Sequence, residues 1–276
     1  MDTRIIFGTF WVFLTMAGFV QAVEPTTDSV CKPGTVCAQE PNEVVVDEVD
    51  KVLEQLHKTT SGMRSYEGQI EYKYIQPLLE SESLRKGVLY YVKIGEVSKL
   101  RINFKTLKQD DEKERKYAVH YIFDGVWLTE LDYQTKTPTK YQVTEANKPV
   151  DAFTAANQTL PMVGFMKPEE LKKEFEVELV EQKKGDPANF VQLHLIVKPN
   201  STYKDDYLTI DFWVDKKVGL PLRVVAVSTE EDICELKFLK PKINKGIGEK
   251  IFDFKIPQGF SEPEIVPLKK KKGLKK

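Results

Sequence analysis

The chain has 276 residues, 41% of them hydrophobic, 11% aromatic and 30% charged, enough to bury one substantial core without splitting into two domains. Its formal net charge of −1 hides an asymmetry: of 41 basic residues, six are lysines at the extreme C-terminus (Lys269, Lys270, Lys271, Lys272, Lys275 and Lys276). Setting these aside, together with Arg4 and Asp2, leaves 34 basic against 41 acidic residues, and a body of about −7 argues against a nucleic-acid-binding domain.

Residues 1–22 read as a secretory signal peptide. Ile5 to Phe19 form an apolar run behind Arg4, shorter than the roughly 18 residues of a membrane span, and Val20-Gln21-Ala22 supplies small residues for cleavage. An uncleaved N-terminal anchor is the alternative, because Asp2 offsets Arg4. A periplasmic, exported location follows from the leader. Residues 23–43 are rich in Pro, Thr and acidic residues and read as a flexible lead-in. Within them Cys31 and Cys37 bracket a Pro-Gly turn, which favours a small local disulfide over a redox pair; Cys234 is left as a single buried thiol.

Over 44–60, Val45, Val49, Val52, Leu53 and Leu56 recur at helical spacing, with Gly62 to end the helix. Period-two runs then begin, Gly68, Ile70, Tyr72 and Tyr74 alternating with Glu67, Gln69, Glu71 and Lys73. Further runs fall at 86–94, 99–107, 117–123, 126–133, 139–143, 175–182, 190–198, 207–214, 221–228, 232–239 and 251–255. Asp124-Gly125, Thr137-Pro138, Gly185-Asp186-Pro187, Asp215-Lys216-Lys217 and Gly219 punctuate them, so neighbours are expected as antiparallel hairpins in a meander. Residues 145–173 interrupt the series with helix starts at Asp151 and Pro168 around an apolar cluster, Leu160 to Met166.

A sheet of about twelve strands accumulates twist and curls. The expected fold is mainly β (α+β): about 11–12 antiparallel strands in a curved, open half β-barrel, with the two helical regions capping its concave face. The candidate lining of that face is Tyr72, Tyr74, Leu89, Tyr91, Leu100, Ile102, Trp127 and Leu131 on strands, with Met162, Phe165 and Met166 on the lid. His57, His120 and His194 lie far apart with no metal-ligand spacing, so no metal and no cofactor is expected. No catalytic carboxylate pair, phosphate loop or Gly-x-Ser-x-Gly elbow occurs, so the chain is not read as an enzyme.

The hairpin Ile122-Phe123-Asp124-Gly125-Val126-Trp127-Leu128 followed by Tyr133 and a Thr/Lys strand, the insert Pro161-Met162-Val163-Gly164-Phe165-Met166, and the closing Phe252-Asp253-Phe254-Lys255-Ile256-Pro257-Gln258-Gly259-Phe260 occur in that order behind an export signal. In this order they resemble the LolA/LolB/RseB-type lipoprotein-carrier superfamily over residues 44–266. The resemblance implies an open β-barrel capped by helices that carries acyl chains of a lipid or lipoprotein between membrane donor and acceptor proteins. The alternative it implies is an RseB-like sensor or protein-binding module without bound lipid. The family's arginine latch has no counterpart after Val92-Lys93, where Ile94-Gly95 follow, and Arg101 is the candidate stand-in. Residues 267–276 read as a disordered, lysine-rich tail, with weak contact to anionic membranes as the alternative.

Overall fold

The computed structural model describes residues 48–156, 166–181 and 189–268. The leader, the lead-in with Cys31 and Cys37, Met162, Phe165 and the tail lysines lie outside the described residues.

Helix α1 (Glu48–Ser61) opens the described chain, with Glu48 and Asp50 in its first turn and Lys58 in its last, the arrangement that offsets the helix dipole. Val49, Leu53, Leu56 and Thr60 recur every three to four residues and are its buried stripe. Its last turn is closed by hydroxyls that bond back to the backbone, Thr60 Oγ1 to the Leu56 carbonyl at 3.0 Å and Ser61 Oγ to that of His57 at 2.6 Å.

Twelve strands follow in one open sheet. The first six are β1 (Ser65–Gln76), β2 (Ser81–Ile94), β3 (Val97–Gln109), β4 (Arg115–Phe123), β5 (Trp127–Asp132) and β6 (Thr137–Gln142). Two short helices, α2 (Ala152–Ala156) and α3 (Pro168–Glu174), come next. The second series is β7 (Phe175–Val180), β8 (Phe190–Val197), β9 (Tyr207–Asp215), β10 (Leu220–Ser228) and β11 (Ile233–Ile243), and β12 (Glu264–Val266) closes the described strands. The spatial order is β12-β6-β5-β4-β3-β2-β1-β11-β10-β9-β8-β7. Each series is therefore a meander, as the turn signals imply, and the antiparallel pair β1·β11 joins them.

The turns behave as their residues require. Asp124 Oδ1 accepts the amides of Val126 and Trp127 at 3.0 and 2.8 Å, and Gly125 sits at φ 104°, where a side chain is strained. In β2, Gly87 meets the Asn103 carbonyl so closely that an added Cβ would lie 2.2 Å from its oxygen, at the point where the β2·β3 register slips.

Two expectations are corrected. Residues 251–255 do not form the last strand: Glu249–Ile251 is a 3-10 turn, and the Ile251 carbonyl accepts a 2.6 Å bond from Arg101 Nη1, which takes it out of any ladder. The last strand is β12, pairing with β6 in parallel rather than antiparallel fashion. Pro263 and Pro267 flank it and confine it to three residues at the sheet edge.

The main core lies between α1, α3 and the β7–β11 half. Val49, Leu53 and Leu56 meet Leu171, Phe175, Leu193, Leu195, Ile210, Phe212 and Val224, all buried. Complete burial of one such side chain is worth about 1.5–3 kcal/mol. An ion pair between Lys172 and Asp50 ties α3 to the start of α1.

The other face of β3–β5 is crossed by the C-terminal strap, residues 249–268. Phe260 packs edge-on against Tyr133 at 5.2 Å, Tyr133 against His120 at 4.7 Å, and Ser261 N–H bonds the Lys136 carbonyl. Burial, then Arg101 and Lys105, hold the His120 imidazole down to about 4. With the native value below the ordinary one, the unfolded chain binds the extra proton first, so stability falls as pH drops from about 6.5 towards 4. The expected outcome is a urea midpoint that declines over this window and declines less in His120→Gln; equal acid sensitivity of both proteins would refute the assignment.

Candidate functional site

Directly opposed residues of an antiparallel pair share a face. Tyr74 opposes Cys234 and Tyr72 opposes Leu236, so the even residues of β1 continue the face on which α1 lies. Tyr72 then opposes Arg85, Gly68 opposes Leu89 and Tyr66 opposes Tyr91. Leu89 opposes Ile102, and Tyr91 opposes Leu100. Phe123 and Tyr121 follow on β4, opposite Leu100 and Ile102. Six of the candidate residues, Tyr72, Tyr74, Leu89, Tyr91, Leu100 and Ile102, are therefore gathered on one face of three adjacent strands.

The same register separates the others. Tyr121 opposes Glu130 and Phe123 opposes Leu128, which puts the even positions of β5 on the helix face and Trp127 and Leu131 on the opposite one. There Leu131 is buried, and Trp127 carries Lys140 Nζ at 5.4 Å from its ring centre. Met166 packs against the α1 core cluster. Arg101 also lies on the opposite face: it opposes Ile122, bonds Asn103 at 2.8 Å and holds the Ile251 carbonyl. This last contact fastens the C-terminal strap.

On the helix face the aromatic residues form a row. The Tyr72 and Phe104 rings are 6.4 Å apart, and Phe104 meets Tyr121 edge-on at 6.3 Å. Tyr66 folds over Gly68, where an added Cβ would lie 2.6 Å from its hydroxyl. Helix α2 seats at one end of this row. Ser98 Oγ accepts the Ala152 amide at 2.6 Å, Phe153 stacks at 4.6 Å from Tyr91, and Tyr91 donates to Asp151 at 2.9 Å. Asp151 Oδ1 in turn accepts the Phe153 amide. Burial and the Asp151 carboxylate push the Tyr91 phenol far above its ordinary value.

Reading the sequence misses the charged part of this face. Arg85, buried on β2, lies 5.1 Å from the Tyr117 ring centre, and Glu130 on β5 accepts from the Tyr121 hydroxyl at 3.2 Å. Burial raises the Glu130 carboxyl above its ordinary range. The signal was present in the alternation Ser83, Arg85, Gly87, Leu89, Tyr91, which puts Arg85 in phase with the candidate residues; starting that strand at residue 86 leaves it out. Among the described residues, no three His, Cys, Asp or Glu side chains gather into a metal site, and no helix is long and apolar enough to cross a membrane.

No family model matches the chain, and no curated protein does. Among solved structures, the chain is similar to an uncharacterized conserved protein from Thermus thermophilus, with a TM-score of 0.46 and 11% identity over 80% of this chain and 100% of that one. A second is a LolA superfamily protein from Nitrosomonas europaea, with a TM-score of 0.34 and 13% identity over 75% of this chain and 97% of that one. A third is the Pseudomonas aeruginosa MucA/MucB complex, with a TM-score of 0.41 and 14% identity over 75% of this chain and 61% of the matched one.

Cys234 lies beside Tyr74 on this face, and burial pushes its thiol up to about 12. It is expected to resist a disulfide reagent at pH 8 in the native protein and to react at once on denaturation, with peptide mapping to locate the label; fast native labelling would show that the face is open to solvent at this point.

Proposed function

We propose that this chain is an exported binding protein, without a catalytic step, that holds the acyl chains of a lipid or acylated protein reversibly on the helix face of β1–β4. One observation carries the reading. Tyr72, Leu89, Tyr91, Leu100 and Ile102 line one face of adjacent strands, while α1 and α3 are committed to the β7–β11 half and only the five-residue α2 is seated on β3 among the described helices.

Leu100 and Ile102 are half-buried on this face and so have apolar surface left to cover. A long acyl chain gains about 0.8 kcal/mol for each methylene taken out of water, so sixteen carbons represent on the order of 12 kcal/mol before the cost of moving a lid. Sequence supports a lid there, since the apolar cluster Leu160 to Met166 follows α2 directly. Transport between a membrane donor and acceptor belongs to the same proposal, supported by the export signal and by the sequence resemblance to lipoprotein carriers.

A second reading has its own observation. Tyr72, Leu89, Tyr91 and Phe104 are each less than a tenth exposed, as in a filled core. This favours a sensor or protein-binding module that holds no lipid.

The two readings separate by native mass spectrometry of protein recovered from its own exported compartment, followed by organic extraction and titration with a fluorescent fatty acid. The carrier reading expects stoichiometric acyl ligand, and probe binding weakened at least tenfold in Ile102→Glu, the equivalent of about 1.4 kcal/mol. Ile196→Glu, on the opposite face of β8, should leave binding unchanged. An empty protein that also ignores the probe sinks the carrier and leaves the second reading.

A further inference from the structure

The strand directions sort the loops into two ends with opposite charge. One end carries the β1–β2, β3–β4, β5–β6, β8–β9 and β10–β11 connections, where Glu80, Asp111, Glu112, Glu114, Asp205, Glu230 and Glu231 are exposed alongside Lys113, Arg115, Lys116, Lys136 and Lys204. The other end carries the C-terminus of α1, the start of β1, the β2–β3, β4–β5 and β9–β10 turns, and the ends of β6 and β11.

At that second end, a hydrogen-bonded frame collects five exposed cations. Lys93 N–H bonds the Arg64 carbonyl at 2.8 Å, and Arg64 N–H bonds Asn244 Oδ1 at 2.7 Å, with Lys245 next along the chain. Asn244 Nδ2 donates to the Gly62 carbonyl at 3.2 Å, and Gly62 N–H reaches back to the carbonyl of Lys58. The β9–β10 turn with Lys217 abuts the last turn of α1, where a Cβ on Gly219 would lie 2.6 Å from Thr59 Oγ1. Among the described residues, Lys58, Arg64, Lys93, Lys217 and Lys245 make no ion pair.

The acids near this end do less to offset them. Glu145 is paired with Lys148 at 2.8 Å, Glu67 with Lys242 at 2.9 Å, and the Asp124 carboxylate is occupied by two backbone amides. Asp215 is buried and caps its own turn, which leaves Glu96, Glu181 and, on the segment after β11, Glu249. The last described residues reach the same end: β12 runs parallel to β6, and the Leu268 amide bonds the side chain of Gln142, the last residue of β6. The eight residues that follow include six lysines.

We propose that this end of the sheet docks on an anionic lipid surface through the exposed cations Lys58, Arg64, Lys93, Lys217 and Lys245. Attraction to an anionic headgroup layer accumulates over each cation brought near it and decays within a Debye length, so the gathering of cations at one end matters more than the overall charge. The acidic end then points away from the membrane and fixes the orientation. Helix α2 lies towards the docking end, since its partners Tyr91 and Ser98 flank the β2–β3 turn, so the proposed acyl-binding face meets the lipid surface there. The docking surface itself does not require that acyl-binding reading.

The test is co-sedimentation of the full chain with vesicles of phosphatidylcholine alone, or with about a third phosphatidylglycerol, at about 0.1 M and about 0.5 M salt. Binding is expected to be at least tenfold stronger to the anionic vesicles and to collapse at high salt. The combined Arg64→Gln, Lys93→Gln and Lys217→Gln variant, with the tail intact, should lose about tenfold, and Lys113→Glu with Lys204→Glu at the acidic end should lose nothing. All these positions are exposed, and far-UV circular dichroism checks that the fold survives. Equal binding to both vesicles overturns the proposal, as does a triple variant that binds like the parent while a chain ended at Leu268 does not bind. Ile102→Glu separates the two proposals: retained vesicle binding with lost fatty-acid binding supports this one, and loss of both overturns it.

Discussion

The pairing of β1 with β11 is the constraint on which the rest of the molecule depends. Two meanders, each held by local hairpins, become one sheet because Tyr66 to Ile75 align with Ile243 to Ile233, about 170 residues apart in sequence. That register, bulged between Glu67 and Gln69, decides which side chains of β1 share a face with Cys234, Leu236 and Phe238, and therefore with α1. A slip of one residue would turn Tyr72 and Tyr74 away from the core and bring Glu71 and Lys73 onto it. Asn244 sits at the end of this seam and bonds the amides of Arg64 and Ser65, so the turn from α1 into β1 is fixed by the same pairing.

From the seam outward, the two halves of the helix face differ in what fills them. On the β7–β11 side the filling is aliphatic and aromatic and comes from α1 and α3. On the β1–β5 side the lining is rich in tyrosine, with Arg85 buried and Glu130 half-buried beside the rings, and α2 reaches it through Asp151, Ala152 and Phe153. Phenols combine a large apolar body with a polar tip, which makes such a lining tolerant of an amphipathic occupant.

Local signals in the sequence were enough for most of the elements. The stripe of Val49, Leu53 and Leu56, the alternation in β1 and the Asp124-Gly125 turn are each dictated within a few residues. What eluded them depends on distant partners. Phe252-Asp253-Phe254 alternates like a strand, but Arg101, some 150 residues earlier, holds the Ile251 carbonyl and ends the ladder before it begins. Trp127 and Leu131 lie on a strand that is apolar on both faces, so alternation divides its residues into two sets without saying which set faces the helices; the β4·β5 register decides that. Arg85 was legible by phase, yet a buried arginine contradicts the hydrophobic pattern used to recognise a lining.

The C-terminal strap is held to the sheet edge by three residues of parallel pairing between prolines, and to the opposite face by Arg101, Phe252 and Phe260. An element so lightly paired sits at the low end of local opening free energies, while the long strands beneath it open only with the whole domain. The two faces of the sheet therefore exchange with solvent on separate clocks: the side bearing Leu131 and His120 breathes whenever the strap lifts, and the α1 core over β7–β11 stays closed until the seam itself parts.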